Sequence, residues 1–177
     1  MKKQNVLQVL LLTVIILLLP LIGKQFSTEV AWTFFDFMVM GVLIFGSGLA
    51  FEFLRSRGGS LAYTAGAAIA VATLLTLIWV NLAVGIIGSE DNPANAFYLA
   101  VPLIGIVGAT LAKLKPRGMA RTLITMAAAQ LLVPIVAFIV WRPDSDPGVI
   151  AVFGLNAVFA VLFVVAGVLF QQAYAAR

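Results

Sequence analysis

The chain has 177 residues and a net charge of +4, with hydrophobic side chains at 63% and charged ones at 10%; its mean hydropathy is +1.12. A water-soluble fold could not enclose that much apolar surface, and the apolar runs match the roughly 20 residues needed to cross a hydrocarbon core of about 30 Å. With no cysteine and no histidine, disulfide frameworks, the usual zinc sites, haem ligation by His or Cys, and Ser–His or Cys–His nucleophile pairs are excluded, so the reading is a non-enzyme that carries no cofactor.

In chain order, Lys2 and Lys3 precede a first span over about 6–22. It resembles a secretory signal, but it is long for one and ends in LPLIGKQ without an Ala-x-Ala-like site, so it reads as an uncleaved span. The second span, about 30–54, contains Asp36 and ends near Glu52, three residues before Arg55, so those two can pair at the interface. The third, about 61–87, places Gly66, Ala70, Thr73, Leu77, Asn81, Gly85 and Gly88 on one small and polar face, with Gly88 and Ser89 closing the helix. Asn92 reads as an N-cap with Pro93 at the first position of the fourth span, about 94–112. The acidic turn Ser89-Glu90-Asp91-Asn92 lacks calcium-loop spacing and reads as a solvated cap. A basic turn, KLKPRGMAR, leads into the fifth span, about 119–141, and RPDSDP into the sixth, about 148–170. These six spans form one integral membrane domain over 1–177: an all-α polytopic transmembrane bundle of six helices.

Lys2, Lys3, Arg55, Arg57, Lys113, Lys115, Arg117, Arg121 and Arg177 fall on one side of such a bundle, and only Lys24 and Arg142 on the other. The positive-inside rule then places both termini in the cytoplasm. Trp32, Trp79 and Trp141 lie toward the opposite side, as an interfacial aromatic belt would.

Asp36, Asn81, Pro102, Pro134 and Asn156 each lie six to eight residues inside their spans, roughly 10 Å below the outer interface. Pro102 and Pro134 cannot donate to the carbonyls of Tyr98 and Gln130, so the expected layer is rich in oxygen: a carboxyl, carboxamides and freed carbonyls. Packing alone would account for it, because Asn and Gln bond across membrane helices and prolines are tolerated there. A cation or proton site would also account for it, since an intramembrane carboxylate is expensive to keep. On that second view Asp36 faces the bundle interior in its neutral form.

The blocks WTFFDF, WVNLAVGIIGSEDNPAN and KPRGMAR together resemble a group of small bacterial inner-membrane proteins without an assigned activity. The resemblance implies a multi-pass protein of the cell inner membrane and no site, cofactor or reaction. Two functions remain open: a small cation- or proton-linked transporter or channel component using the polar layer, or a non-catalytic accessory protein packing against partner membrane helices. The expected partners are membrane lipid, including anionic lipid at Lys113, Lys115, Arg117 and Arg121, and a parallel homo-oligomer or another membrane protein. No P-loop and no nucleic-acid signature occurs in the chain.

Overall fold

The computed structural model describes residues 3–26, 31–141 and 148–176. Outside them fall Lys2, Glu29, the expected start of the second span at Val30, the RPDSDP loop and Arg177, as does the side chain of Trp141. The architecture is all-helical: 87% of the described residues are in helices, and no strand occurs among them. The helices are α1 (Lys3–Phe26), α2 (Phe34–Arg57), α3 (Leu61–Ala83), a 3-10 helix (Pro93–Leu99) that continues into α4 (Ala100–Leu111), α5 (Pro116–Trp141) and α6 (Val149–Ala175). Six of the resulting segments are long and apolar enough to cross a membrane, the fourth of them Pro93–Leu111.

The chain divides into two compact units, Met1–Ser56 and Arg57–Arg177. In the first, α1 and α2 form an antiparallel pair. Asn5 Nδ2 donates to Glu52 Oε2 at 2.6 Å, Val9 sits over Gly48, and Leu17 lies 3.4 Å from where a Cβ on Gly41 would stand. Glu52 also accepts from Arg55 at 2.9 Å, as the spacing predicts. At the other end, Lys24 Nζ donates to the carbonyl of Trp32 at 2.7 Å, tying the end of α1 to the approach to α2.

In the second unit α6 packs between α3 and α5, α4 packs on α5, and the 3-10 helix touches α3, α4 and α5. Small residues set these approaches. A Cβ on Gly66 of α3 would meet the Phe170 ring and the Ala166 carbonyl of α6 at 3.0 and 3.1 Å; Gly108 of α4 lies against Thr122 of α5, and Gly167 of α6 against Ala120 of α5. Gly66, Ala70, Thr73 and Leu77, four members of the expected small face of α3, are buried. Thr13, Thr73, Thr110, Thr122 and Thr125 each donate to the carbonyl four residues back, which satisfies their hydroxyls without water. Outward-facing side chains such as Leu103, Ile106, Leu111, Ile139 and Ile150 are exposed and apolar, as a lipid-facing surface requires.

Two helix boundaries differ from the sequence reading. α3 ends at Ala83, a turn short of the expected Ile87, because Gly85 and Gly88 take left-handed backbone at φ +71° and +68° and turn the chain. Gly88 and Ser89 therefore belong to a folded connection and do not close a helix. α2 begins at Phe34, not near Val30. Thr33 Oγ1 lies 3.3 Å from the Asp36 amide, and Asp36 Oδ2 accepts from the Thr33 backbone N–H at 2.6 Å and from its hydroxyl at 2.8 Å. This is the reciprocal capping of a helix start, with Asp36 three residues after the cap.

Candidate functional site

Apart from Thr73 and Thr122, whose hydroxyls bond within their own helices, the buried polar groups of the second unit gather at two places, both built around the 3-10 helix. The first is a knot of three side chains. Asn156, at 0% exposure, accepts from Gln130 Nε2 at 2.9 Å through Oδ1, and its Nδ2 donates to the Tyr98 hydroxyl and to the Val152 carbonyl, each at 2.8 Å. A carbonyl can only accept, so the bond to Val152 fixes which end of the amide is nitrogen. Asn156 thus uses both donors and its oxygen, and it joins α5, α6 and the 3-10 helix through one side chain. Gln130 is equally enclosed, and its Oε1 has no protein partner. Pro134, buried one turn further along α5, removes the amide that would have served the Gln130 carbonyl.

The second place is the connection between α3 and the 3-10 helix, folded around Asn95. Its Oδ1 accepts from the backbone N–H groups of Ile86 and Ile87, both at 3.0 Å. Its Nδ2 donates to the carbonyls of Ile87 at 3.2 Å and Ser89 at 2.7 Å. One carboxamide therefore supplies four bonds to backbone that no helix satisfies, and Ile86 and Ile87 are buried with it. Asn81, on the last turn of α3, donates to the Asn95 carbonyl at 3.2 Å, and its own Oδ1 is enclosed without a partner. Asn92 caps the 3-10 helix through Ala94 N–H at 3.0 Å, with Pro93 in the first position as expected. Glu90 and Asp91 are exposed at the tip of this connection.

The expected single layer is thus resolved differently. Tyr98, Gln130 and Asn156 come together; Asn81 belongs with Asn95 instead. Tyr98 contributes its hydroxyl, not a freed carbonyl: the Ala100 N–H points at the carbonyls of Phe97 and Tyr98, and Pro102 stands in the first turn of α4, where a missing amide leaves no gap. Asp36 belongs to the first unit, whereas the other expected members of the layer belong to the second. It is exposed in the first turn of α2 and is held by Thr33 of its own chain segment.

Asn95 is the functional candidate that the spacing of residues does not reveal. The Gly85 and Gly88 pair, set between Asn81 and the Asn92-Pro93 cap, is the signal that this stretch turns. Which side chain would catch the turned backbone depends on the fold. Comparison with protein-family models, with curated proteins and with solved structures found no match.

Proposed function

We propose that this chain is a multi-pass protein of the bacterial inner membrane, with both termini cytoplasmic, that serves as a non-catalytic assembly partner for other membrane helices. The observation that carries the reading is the chemistry of the buried polar groups. They are neutral carboxamides, one phenol and threonine hydroxyls, bonded to one another and to backbone save for two carboxamide oxygens, while the carboxylate that ion coupling would need caps a helix at an exposed position. Such a set fixes helix register; it does not by itself carry charge across a bilayer. An unpartnered face on α2 supports the partner role: Gly46 has nothing within 4 Å of where its Cβ would be, and Val42 and Ala50, one turn to either side, are exposed on the same stripe.

The absence of cysteine allows a clean test. Single cysteines at Gly46 and at Ile139, both exposed, are compared by oxidative cross-linking in native membranes. Defined adducts at Gly46 and none at Ile139 are expected. Equal adduct formation at the two positions would reduce the α2 stripe to ordinary lipid-facing surface.

A second reading, a cation- or proton-linked transport component, rests on the two enclosed oxygens without partners, Gln130 Oε1 and Asn81 Oδ1. It requires flux above that of empty vesicles when the purified chain is reconstituted with pH- and cation-sensitive dyes. It also requires loss of that flux in Gln130→Met, which keeps the side-chain volume.

A further inference from the structure

One end of the second unit holds Arg57, Lys113, Lys115, Arg117 and Arg121, whereas its described acidic residues, Glu90 and Asp91, lie in the connection at the opposite end of α4. Two hollows open at the basic end and share a wall. One, of about 630 Å³ between α5 and α6, is lined by Arg117, Arg121, Thr125, Gln171 and Tyr174. The other, of about 570 Å³ between α4 and α5, is apolar along Leu103, Val107 and Leu111 and has Arg121 and Thr125 at its edge. Arg121 and Thr125 therefore face a polar hollow on one side and an apolar groove on the other. The Arg117 guanidinium stands 5.6 Å from the Tyr174 ring centroid, which holds it toward the polar hollow by a cation–π contact. No ion pair to either arginine occurs among the described residues.

We propose that these two hollows form one binding site for an anionic phospholipid. The headgroup phosphate lies on Arg117 and Arg121, with Gln171 and the Tyr174 hydroxyl as further donors, and one acyl chain lies along Leu103, Val107 and Leu111. Three features argue for this occupant. The guanidinium groups offer planar, forked donors suited to phosphate oxygens. The groove runs from Leu111 back to Leu103, about 12 Å at the rise of an α-helix, which approaches the hydrocarbon depth of one leaflet, about 15 Å. The polar and apolar parts meet at one residue pair, as they do at the glycerol level of a lipid. A basic surface attracting lipid by net charge alone would need no groove and would favour Lys113 and Lys115 equally.

The test uses the full chain in nanodiscs, labelled with a fluorophore at a single cysteine replacing Ile106, which is exposed beside the groove without lining it. Chain-brominated phosphatidylglycerol is expected to quench the label more strongly than chain-brominated phosphatidylcholine. Removing either guanidinium, as Arg117→Gln or Arg121→Gln, lowers the apparent affinity for phosphatidylglycerol about tenfold, the effect of losing a hydrogen bond to a charged group. Lys113→Gln with Lys115→Gln leaves the preference in place, and free inorganic phosphate does not displace the lipid. Val107→Trp, which fills the groove without altering charge, abolishes the preference while circular dichroism shows the helices intact. Equal quenching by the two lipids, no quenching by either because protein covers the groove, or equal loss in the lysine and arginine variants would each overturn the site.

Discussion

At the scale of single residues, Asn156 and Asn95 do similar work on different partners. Asn156→Ala strands the Gln130 amide and the Tyr98 hydroxyl in a dry interior, and its expected cost is about 1–3 kcal/mol. Tyr98→Phe removes a single interhelical bond and should cost less, about 0.6–1.7 kcal/mol. Chemical unfolding in mixed micelles of the two single variants and the double variant checks both: the double variant should cost less than the sum, because the bond they share is lost once. Asn95→Asp keeps the acceptor for Ile86 and Ile87 and loses both donors to Ile87 and Ser89. Amide exchange at residues 86 and 87 should therefore stay slower in Asn95→Asp than in Asn95→Ala, and equal rates would show that the side chain does not hold the connection. Asp36→Asn should loosen only the start of α2, visible as faster exchange at Thr33 and its neighbours, with no change in the unfolding of the second unit.

At the scale of elements, Gly85 and Gly88 separate two effects that sequence alone merges. Both are left-handed, so a side chain at either is strained by about 1–2 kcal/mol. At Gly85 a Cβ would also stand 2.5 Å from the Ser89 carbonyl carbon and oxygen, which are backbone, whereas at Gly88 it would meet the movable Asn92 amide at 2.9 Å. Gly85→Ala is thus expected to destabilise more than Gly88→Ala in the same unfolding measurement. The six spans were legible because runs of apolar residues near membrane length have few alternatives. The end of α3 was legible only in part: Gly85 and Gly88 mark a turn, but nothing in Ile86 and Ile87 signals that they leave the helix while staying buried. Asp36 carried a readable signal in Thr33, three residues earlier, but the apolar Trp32 and Phe34 around it make the stretch look like the interior of a span. The meeting of Tyr98, Gln130 and Asn156 could be approached by comparing depths; the pairing of Asn81 with Asn95 depends on a backbone reversal that periodicity does not encode.

At the scale of the molecule, the contacts that fix the polar knot all arise within 57–177. A chain lacking the first unit is therefore expected to show the same coupling between Asn156 and Gln130 as the full chain, measured by double-variant cycles in both. A weaker coupling in the shortened chain would mean that the α1–α2 pair supports the knot from outside. The division also sorts the proposed surfaces: the α2 stripe proposed for a partner helix belongs to one unit, and the hollows proposed for a lipid belong to the other.

The Asn95 clasp bears on how the chain enters its membrane. α4 has 12 α-helical residues, and the 3-10 helix before it has 7. At their respective rises these contribute roughly 18 Å and 14 Å, so only together do they reach a bilayer thickness of about 30 Å. Residues 86–89 and the 3-10 helix both precede α4 in the chain, so the Asn95 clasp can close before α4 is complete. On this account the third and fourth spans enter lipid together, as a hairpin already tied at the end where the chain turns between them.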